Sequence, residues 1–217
     1  GELTSCVEKS YDNFDRVIRE STYSSASDGI HIDRSYDVHD KPIEEITTGF
    51  NGTPISHIKR SFDLFGRLLE ESTLTDLGWS SYQYSYNAWG EIISSKDPMG
   101  NITKTSYSKT LLGQLVTVTD PKDQVTYTQF NAHGKTLFEL KKGSKGDLLS
   151  RVESTYDARD RKSKEEYTVL KQGSAQRSFT CLYTYNEEGL LLSVDRNGQH
   201  TTHSYENGLL KELVQPN

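Results

Sequence analysis

The 217-residue chain carries 25 Lys and Arg residues against 31 Asp and Glu residues, a formal net charge of −6. This acidic balance disfavours a general nucleic-acid-binding role, which usually needs a basic face. The sequence contains no apolar stretch of about 18 residues, so we expect no membrane span. Only 33% of the residues are hydrophobic, yet 10% are aromatic. These fractions argue against a thick core and against disorder, and they favour a thin sheet with one dry face.

A degenerate motif recurs nine times along the chain, at steps of 20 to 29 residues. An aromatic residue is followed by Asp, Asn or another small polar residue, then by Gly or Asp, and then by an aliphatic residue. The clearest copies are Tyr11–Val17, Phe62–Leu68 and Tyr86–Ile92. Looser copies begin further along the chain, at Tyr36, Tyr107, Phe130, Tyr156, Tyr185 and Tyr205. A repeat of this period indicates one supersecondary unit used many times, so we expect a single array over residues 1–217.

The segments between the motifs are typical of β-strands. Gln114–Thr119 and Gln124–Phe130 are rich in β-branched and aromatic residues. The strand alternation places Tyr82, Tyr84 and Tyr86 on one face. We expect each motif aromatic to close a strand and the following Asp or Asn to start a tight turn by accepting backbone N–H bonds. The later Gly or Asp tolerates the positive φ of such a turn.

A second connection must join one hairpin to the next. In three repeats we expect a compact turn that an Asp initiates, at Asp97–Gly100, Asp120–Asp123 and Asp195–Gly198. Pro at the second position presets φ for a type I turn. The longer repeats are expected to carry loops instead, at residues 24–29, 141–147 and 171–175.

The residues expected to hold the array together are the motif aromatics, the acids and amides that start the turns, and the turn glycines and prolines. They are Tyr11, Asp12, Tyr36, Asp37, Phe62, Asp63, Gly66, Tyr86, Asn87, Gly90, Asp97, Pro98, Gly100, Tyr107, Asp120, Pro121, Phe130, Tyr156, Tyr185, Gly189, Asp195, Gly198 and Tyr205.

No residue pattern indicates catalysis, a cofactor or a metal site. His200 and His203 are three apart, so on a strand they face opposite sides. Asp195–Gly198 is similar to the start of a calcium loop but lacks the later acidic ligand. Cys6 and Cys181 are the only cysteines, and we expect two isolated thiols, with one long-range disulfide as the alternative.

Four aromatic residues are concentrated in one repeat, namely Trp79, Tyr82, Tyr84 and Trp89. Cross-strand packing of repeat on repeat is the simpler interpretation. The alternative is a face that stacks on the sugar rings of a cell-surface glycan.

The motif resembles the repeat of the rearrangement-hotspot (RHS) family, known as the YD repeat. The family pattern is close to Tyr-Asp-x-x-Gly-Arg-Leu, a spacer, and Asp-Pro-x-Gly-x-x-Thr-x-Tyr. Phe62–Leu68 matches the first half with one conservative change, and Asp97–Thr103 matches the second half. The resemblance extends from Tyr11 to Leu210.

This resemblance implies an all-β fold in which antiparallel hairpin repeats stack into a curved, spiralling sheet ribbon. In bacteria such ribbons form a hollow shell around a C-terminal toxin domain, and in animal teneurins a similar shell takes part in cell adhesion. The family's self-cleaving segment has no counterpart in this sequence, so we expect no enzyme activity. We also expect nine repeats to be too few to close a shell, and the chain to be a fragment of a longer one.

The function implied by the resemblance is structural: part of a secreted or cell-surface shell that encloses and helps to deliver a toxin or effector domain. Its partners would be the remaining repeats and the toxin cargo of the same or a partner polypeptide. A cell-surface adhesion or carbohydrate-binding module is the alternative. An exposed sheet edge could also lead to edge-to-edge self-association.

Overall fold

The computed structural model describes residues 6–25, 28–171 and 174–215. Every regular element in these residues is a β-strand, and the predicted all-β fold of antiparallel hairpins is confirmed. The strands are β1 Cys6–Tyr11, β2 Val17–Ser25, β3 Asp28–Tyr36, β4 Pro42–Gly49, β5 Pro54–Phe62, β6 Leu68–Thr75, β7 Gly78–Tyr86, β8 Ile92–Lys96, β9 Ile102–Thr110, β10 Gly113–Thr119, β11 Val125–Asn131, β12 Thr136–Lys142, β13 Leu148–Tyr156, β14 Lys162–Lys171, β15 Ser174–Tyr185, β16 Leu191–Arg196, β17 Gln199–Glu206 and β18 Leu209–Val214.

The chain falls into two compact units that divide between Thr103 and Lys104. Unit 1 contains β1 to β8, and each strand pairs antiparallel with the next. Unit 2 contains most of β9 and all of β10 to β18, paired in the same consecutive way. Each unit is therefore an antiparallel meander whose turns lie alternately at its two edges. We call the edge that carries the motif turns the motif edge, and the opposite one the return edge.

In the part of the chain that the structure describes, neither unit contains a thick apolar core. Among the described residues, Cys181 is the one buried hydrophobic side chain, whereas Ser21, Gln129, Ser154 and Glu165 are buried polar residues. Packing is therefore lateral, between side chains of neighbouring strands on the same face.

The buried carboxylate of Glu165 shows how this lateral packing accommodates charge. Burial by itself raises its pKa, but the Lys162 ammonium and the Tyr167 hydroxyl donate to it and bring the pKa below its ordinary value. Tyr167 lies 2.7 Å from the carboxylate, and this hydrogen bond raises the pKa of Tyr167 to about 12.

Three details differ from the sequence-based expectations. Tyr107 does not close a strand, because β9 continues to Thr110. Asp195 lies inside β16, and the chain reverses at Asn197 and Gly198, whose φ angles of 51° and 87° define a two-residue turn rather than a type I turn. The expected loop at 141–147 is a five-residue turn between longer strands.

The expected loops at 24–29 and 171–175 lie partly outside the described residues. Among those that are described, Ser24 is in β2, and its hydroxyl donates to the Asp28 carboxylate across 2.7 Å.

Candidate functional site

The recurring structural site is a five-residue turn built around its first side chain. In the turn 63–67, Asp63 Oδ1 accepts the backbone N–H groups of Phe65 and Arg67, both at 2.9 Å. The Asp63 N–H donates to the Arg67 carbonyl, and the Gly66 N–H donates to the Asp63 carbonyl, again at 2.9 Å. Gly66 has a φ of 75°, where a side chain would be strained.

The same backbone geometry is present at both edges. On the motif edge it is started by Asp12, Asp37, Asn87, Asn131, Asp157 and Asn186, and on the return edge by Gly49, Asp97, Asp120 and Gly143. The Asp-Pro turns and the motif turns therefore share the same backbone hydrogen bonds, although their sequences differ. Residues with positive φ at the fourth position include Asp15, Asp40, Asp123 and Asp160 as well as glycines.

The turn acids are held in their charged form. The Arg161 side chain donates to Asp157 and lowers the pKa of that carboxyl, and its backbone N–H adds to the effect. The backbone N–H of Lys41 does the same for Asp37. The Asn101 side-chain amide lowers the pKa of Asp97.

Consecutive motif turns are joined by their tyrosines. The tyrosine hydroxyl of one motif donates to the carbonyl of the first strand residue after the preceding motif turn. These bonds are 2.7 to 2.9 Å long and run from Tyr36 to Val17, Tyr86 to Leu68, Tyr156 to Thr136, Tyr185 to Lys162 and Tyr205 to Leu191.

Arginine at the fifth turn position makes a second link between turns. Arg67 donates to Asp63 Oδ2 at 2.6 Å within its own turn and to the Asn87 carbonyl of the next turn at 3.0 Å. Its guanidinium also lies 4.8 Å from the Tyr86 ring centroid. Arg16 and Arg161 repeat the arrangement over Tyr36 and Tyr185, at 4.9 and 4.5 Å.

We call these tyrosine and arginine contacts the turn ladder. Arg16, Arg67 and Arg161 are not among the site residues predicted from the sequence. The signal that could have identified them is the Arg of the family pattern, which stands directly after the turn Gly or Asp in all three copies.

Within unit 1, the turn ladder is weakest between the turns 37–41 and 63–67. Lys41 takes the place of the arginine, and Phe62 has no hydroxyl to donate to Pro42, the first residue of β4. At this step the Lys41 side chain lies close to Gly66 instead. A Cβ added to Gly66 would come within 3.0 Å of Lys41 Cε.

The four candidate glycan contacts do not share one surface. Trp79 is three residues from Tyr82, so it lies on the opposite face of β7 from Tyr82 and Tyr84. Trp79 packs on His57 at 4.8 Å and lies under the Lys59 ammonium at 5.0 Å. Trp89 lies in the motif turn and is 85% exposed.

The remaining candidates are isolated. His200 faces Asp195 at 3.2 Å, and the described residues contain no group of three side chains that could hold a metal ion. Cys6 is exposed and Cys181 is buried, and both are free thiols. In the described residues, no helix is long and apolar enough to cross a membrane.

No family model and no curated protein matches the sequence. The fold, however, is similar to solved structures. The crystal structure of TcdB2-TccC3-TEV matches with a TM-score of 0.52 and 14% identity, over 92% of this chain and 12% of that one. The structure of the Photorhabdus luminescens Tc holotoxin pore with a mutation in TccC3 matches with a TM-score of 0.27 and 13% identity, over 95% of this chain and 16% of that one.

The chain thus spans about an eighth of the length of the TcdB2-TccC3-TEV chain. The first of these matches confirms the predicted resemblance to RHS repeats at the level of the fold. What this chain has in common with that Tc toxin protein is the arrangement of antiparallel hairpins.

Proposed function

We propose that the chain is a wall segment of an RHS-type shell that encloses and helps to deliver a toxin or effector domain. The observation that carries the proposal is the turn ladder, which links one hairpin to the next through backbone carbonyls and can be extended by any number of repeats. The fold likeness to a Tc toxin component supports the same role.

The proposed mechanism is steric and needs no catalytic residue. Strands whose backbone groups are paired to neighbours exclude proteases, and a polar inner face would limit adhesion to unfolded cargo. The partners would be further repeats and the cargo of the same or a partner polypeptide, and the location would be outside the producing cell or at its surface.

The test uses the natural full-length polypeptide. We expect limited proteolysis to leave its C-terminal domain intact while the shell is folded, and to degrade that domain in an Arg67→Ala/Tyr86→Phe variant. A C-terminal domain that is cleaved equally fast in both proteins would contradict encapsulation, as would a mature natural product close to 24.6 kDa.

A carbohydrate-binding module is the second candidate, and the half-exposed Trp79 favours it. Trp79 is 46% exposed, which leaves part of its ring open to a sugar. Oligosaccharides should then quench the tryptophan fluorescence of a Trp89→Phe variant and leave that of a Trp79→Phe variant unchanged. Equal quenching of both, or none, counts against a site at Trp79.

A further inference from the structure

The two units carry opposite formal charges. Unit 1 has nine Lys and Arg residues against seventeen Asp and Glu residues, a net charge of −8, whereas unit 2 has sixteen against fourteen, a net charge of +2. Between two copies of the chain, this distribution favours contact of unit 1 with unit 2 over contact of two like units.

The motif edge of unit 1 presents exposed aromatic rings. The third residue of each five-residue turn lies at its tip, and in the turns 63–67 and 87–91 this tip residue is Phe65 or Trp89. The two side chains are 84% and 85% exposed, and the neighbouring Leu64 is 90% exposed. A row of exposed apolar groups on successive turns is typical of an interaction surface.

The return edge of unit 2 presents cations at the same position of the turn. The tip residues of the turns 120–124 and 143–147 are Lys122 and Lys145, and both are exposed. By contrast, the tips on the motif edge of unit 2 are His133, Arg159 and Glu188, which have mixed charge.

The two pairs of tips have matching separations. Phe65 and Trp89 lie one hairpin apart, as do Lys122 and Lys145. Neighbouring strands are about 4.8 Å apart, so each pair is separated by about 10 Å. An ammonium group within about 6 Å of an aromatic face is attracted to it. The Arg67 guanidinium already lies 5.1 Å from the Phe65 ring centroid, so a lysine would approach the other side of that ring. Two lysines can therefore face two rings at once.

We propose that the return edge of unit 2 docks on the motif edge of unit 1 in a second copy of the chain, with Lys122 and Lys145 over the rings of Phe65 and Trp89. The contact joins two different surfaces, so each docked pair still has one free motif edge of unit 1 and one free return edge of unit 2. Further copies can therefore bind and form short linear oligomers.

Sedimentation velocity of the 217-residue protein tests the proposal, at concentrations from about 10 µM to about 1 mM. We expect the average mass to rise with concentration and to fall as salt is added, because the contact is between charged and aromatic groups at an exposed surface. The variants Lys122→Glu/Lys145→Glu and Phe65→Ser/Trp89→Ser should each remain monomeric, with unchanged circular dichroism.

Mixing the two variants is the decisive measurement. The lysine variant keeps the aromatic edge and the aromatic variant keeps the lysine edge, so the mixture regains one native contact and should form a 1:1 complex. A Leu77→Ser/Met99→Ser control removes exposed apolar groups from the return edge of unit 1 and should associate like the parent protein.

The proposal is overturned by a parent protein that stays monomeric over the whole concentration range, by a mixture of the two variants that forms no complex, or by a loss of association in the Leu77→Ser/Met99→Ser control. Association that salt leaves unchanged would also overturn it and would indicate pairing of exposed edge strands instead.

Discussion

At the scale of single residues, the turn geometry depends on two positions. Where the first residue is Asp or Asn, its side chain accepts backbone N–H groups of the turn, and the fourth residue adopts positive φ. Asp or Asn can do so because its side-chain oxygen lies only three bonds from Cα and so reaches the N–H groups two and four residues on. Gly, Asn and Asp are the residues that tolerate the second condition. The seven copies that form this turn can therefore differ almost everywhere else.

Gly90 tests the second condition, because its φ is 84°. We expect Gly90→Val to lower the free energy of unfolding by about 1–3 kcal/mol, since a β-branched side chain is strained in this region. Gly90→Asn is the matched control and should cost less. Urea denaturation followed by circular dichroism measures both, and equal midpoints for Gly90→Val and the parent protein would count against the argument.

Asp157 tests the first condition through pH. Hydrogen bonds from Arg161 hold its pKa below the ordinary value of 3.8, so the folded state binds a proton less readily than the unfolded state. Its contribution to stability is present above about pH 4 and is lost as the pH falls through the lowered folded pKa.

On acidification, an Asp157→Asn variant should lose less stability than the parent protein. Its amide oxygen still accepts the two backbone N–H groups but does not titrate. Urea midpoints at pH 7 and at successive values below pH 4 measure the difference. Parallel pH profiles of the variant and the parent protein would show that Asp157 does not contribute.

At the scale of the hairpin, the turn ladder determines how strongly one repeat holds the next. A buried or half-buried hydrogen bond contributes about 1 kcal/mol, and a cation–π contact at a partly exposed site contributes about 0.5–1 kcal/mol. The steps that have both an Arg and a Tyr are those at Arg16, Arg67 and Arg161. The step from Tyr36 to Phe62 has neither, so it is the weakest step among the consecutive motif turns of unit 1.

This weak step can be strengthened. In a Phe62→Tyr variant we expect the new hydroxyl to donate to the Pro42 carbonyl and to raise stability by about 1 kcal/mol. Tyr86→Phe removes the equivalent bond to Leu68 and should lower stability by a similar amount. Phe65→Tyr adds a hydroxyl at an exposed tip and should change nothing. The argument is wrong if all three variants melt at the same temperature.

The hairpins and their turns could be predicted from sequence because their determinants are local. Asp12 and Asp63 act on residues two and four positions away, within the reach of a motif. The arginine contacts of the turn ladder could not be derived in this way, since Arg67 donates to the carbonyl of Asn87, twenty positions later. Tyr107 was misplaced because the turn after β9, at Leu111 and Leu112, has no turn residues to mark it.

At the scale of the whole molecule, less of the chain is removed from water than in a compact monomer of the same mass. The accessible surface is 15138 Å², compared with about 10,000 Å² for a compact monomer of this mass. Stability must therefore come from strand pairing, cross-strand contacts and the turn ladder more than from a central core. This agrees with the low hydrophobic fraction of the sequence.

The chain contains separate probes for its two units. Both tryptophans, Trp79 and Trp89, lie in unit 1, and the buried thiol of Cys181 lies in unit 2. We propose that residues 1–217 are one array, and we expect the urea midpoints from tryptophan fluorescence and from Cys181 labelling to coincide in a Cys6→Ser background. Two separate midpoints would show that the units unfold independently.

The tyrosine bond has a consequence for how such a chain can change its length. Each hydroxyl points back to the hairpin before it, so the contact is set by chain order and not by the identity of the neighbour. A duplication or deletion of a complete hairpin leaves every tyrosine with a carbonyl to meet. The gain or loss of one strand would instead reverse the direction of all later strands and move their motif turns to the opposite edge of the sheet. Genes for chains of this kind should therefore grow and shrink in units of two strands.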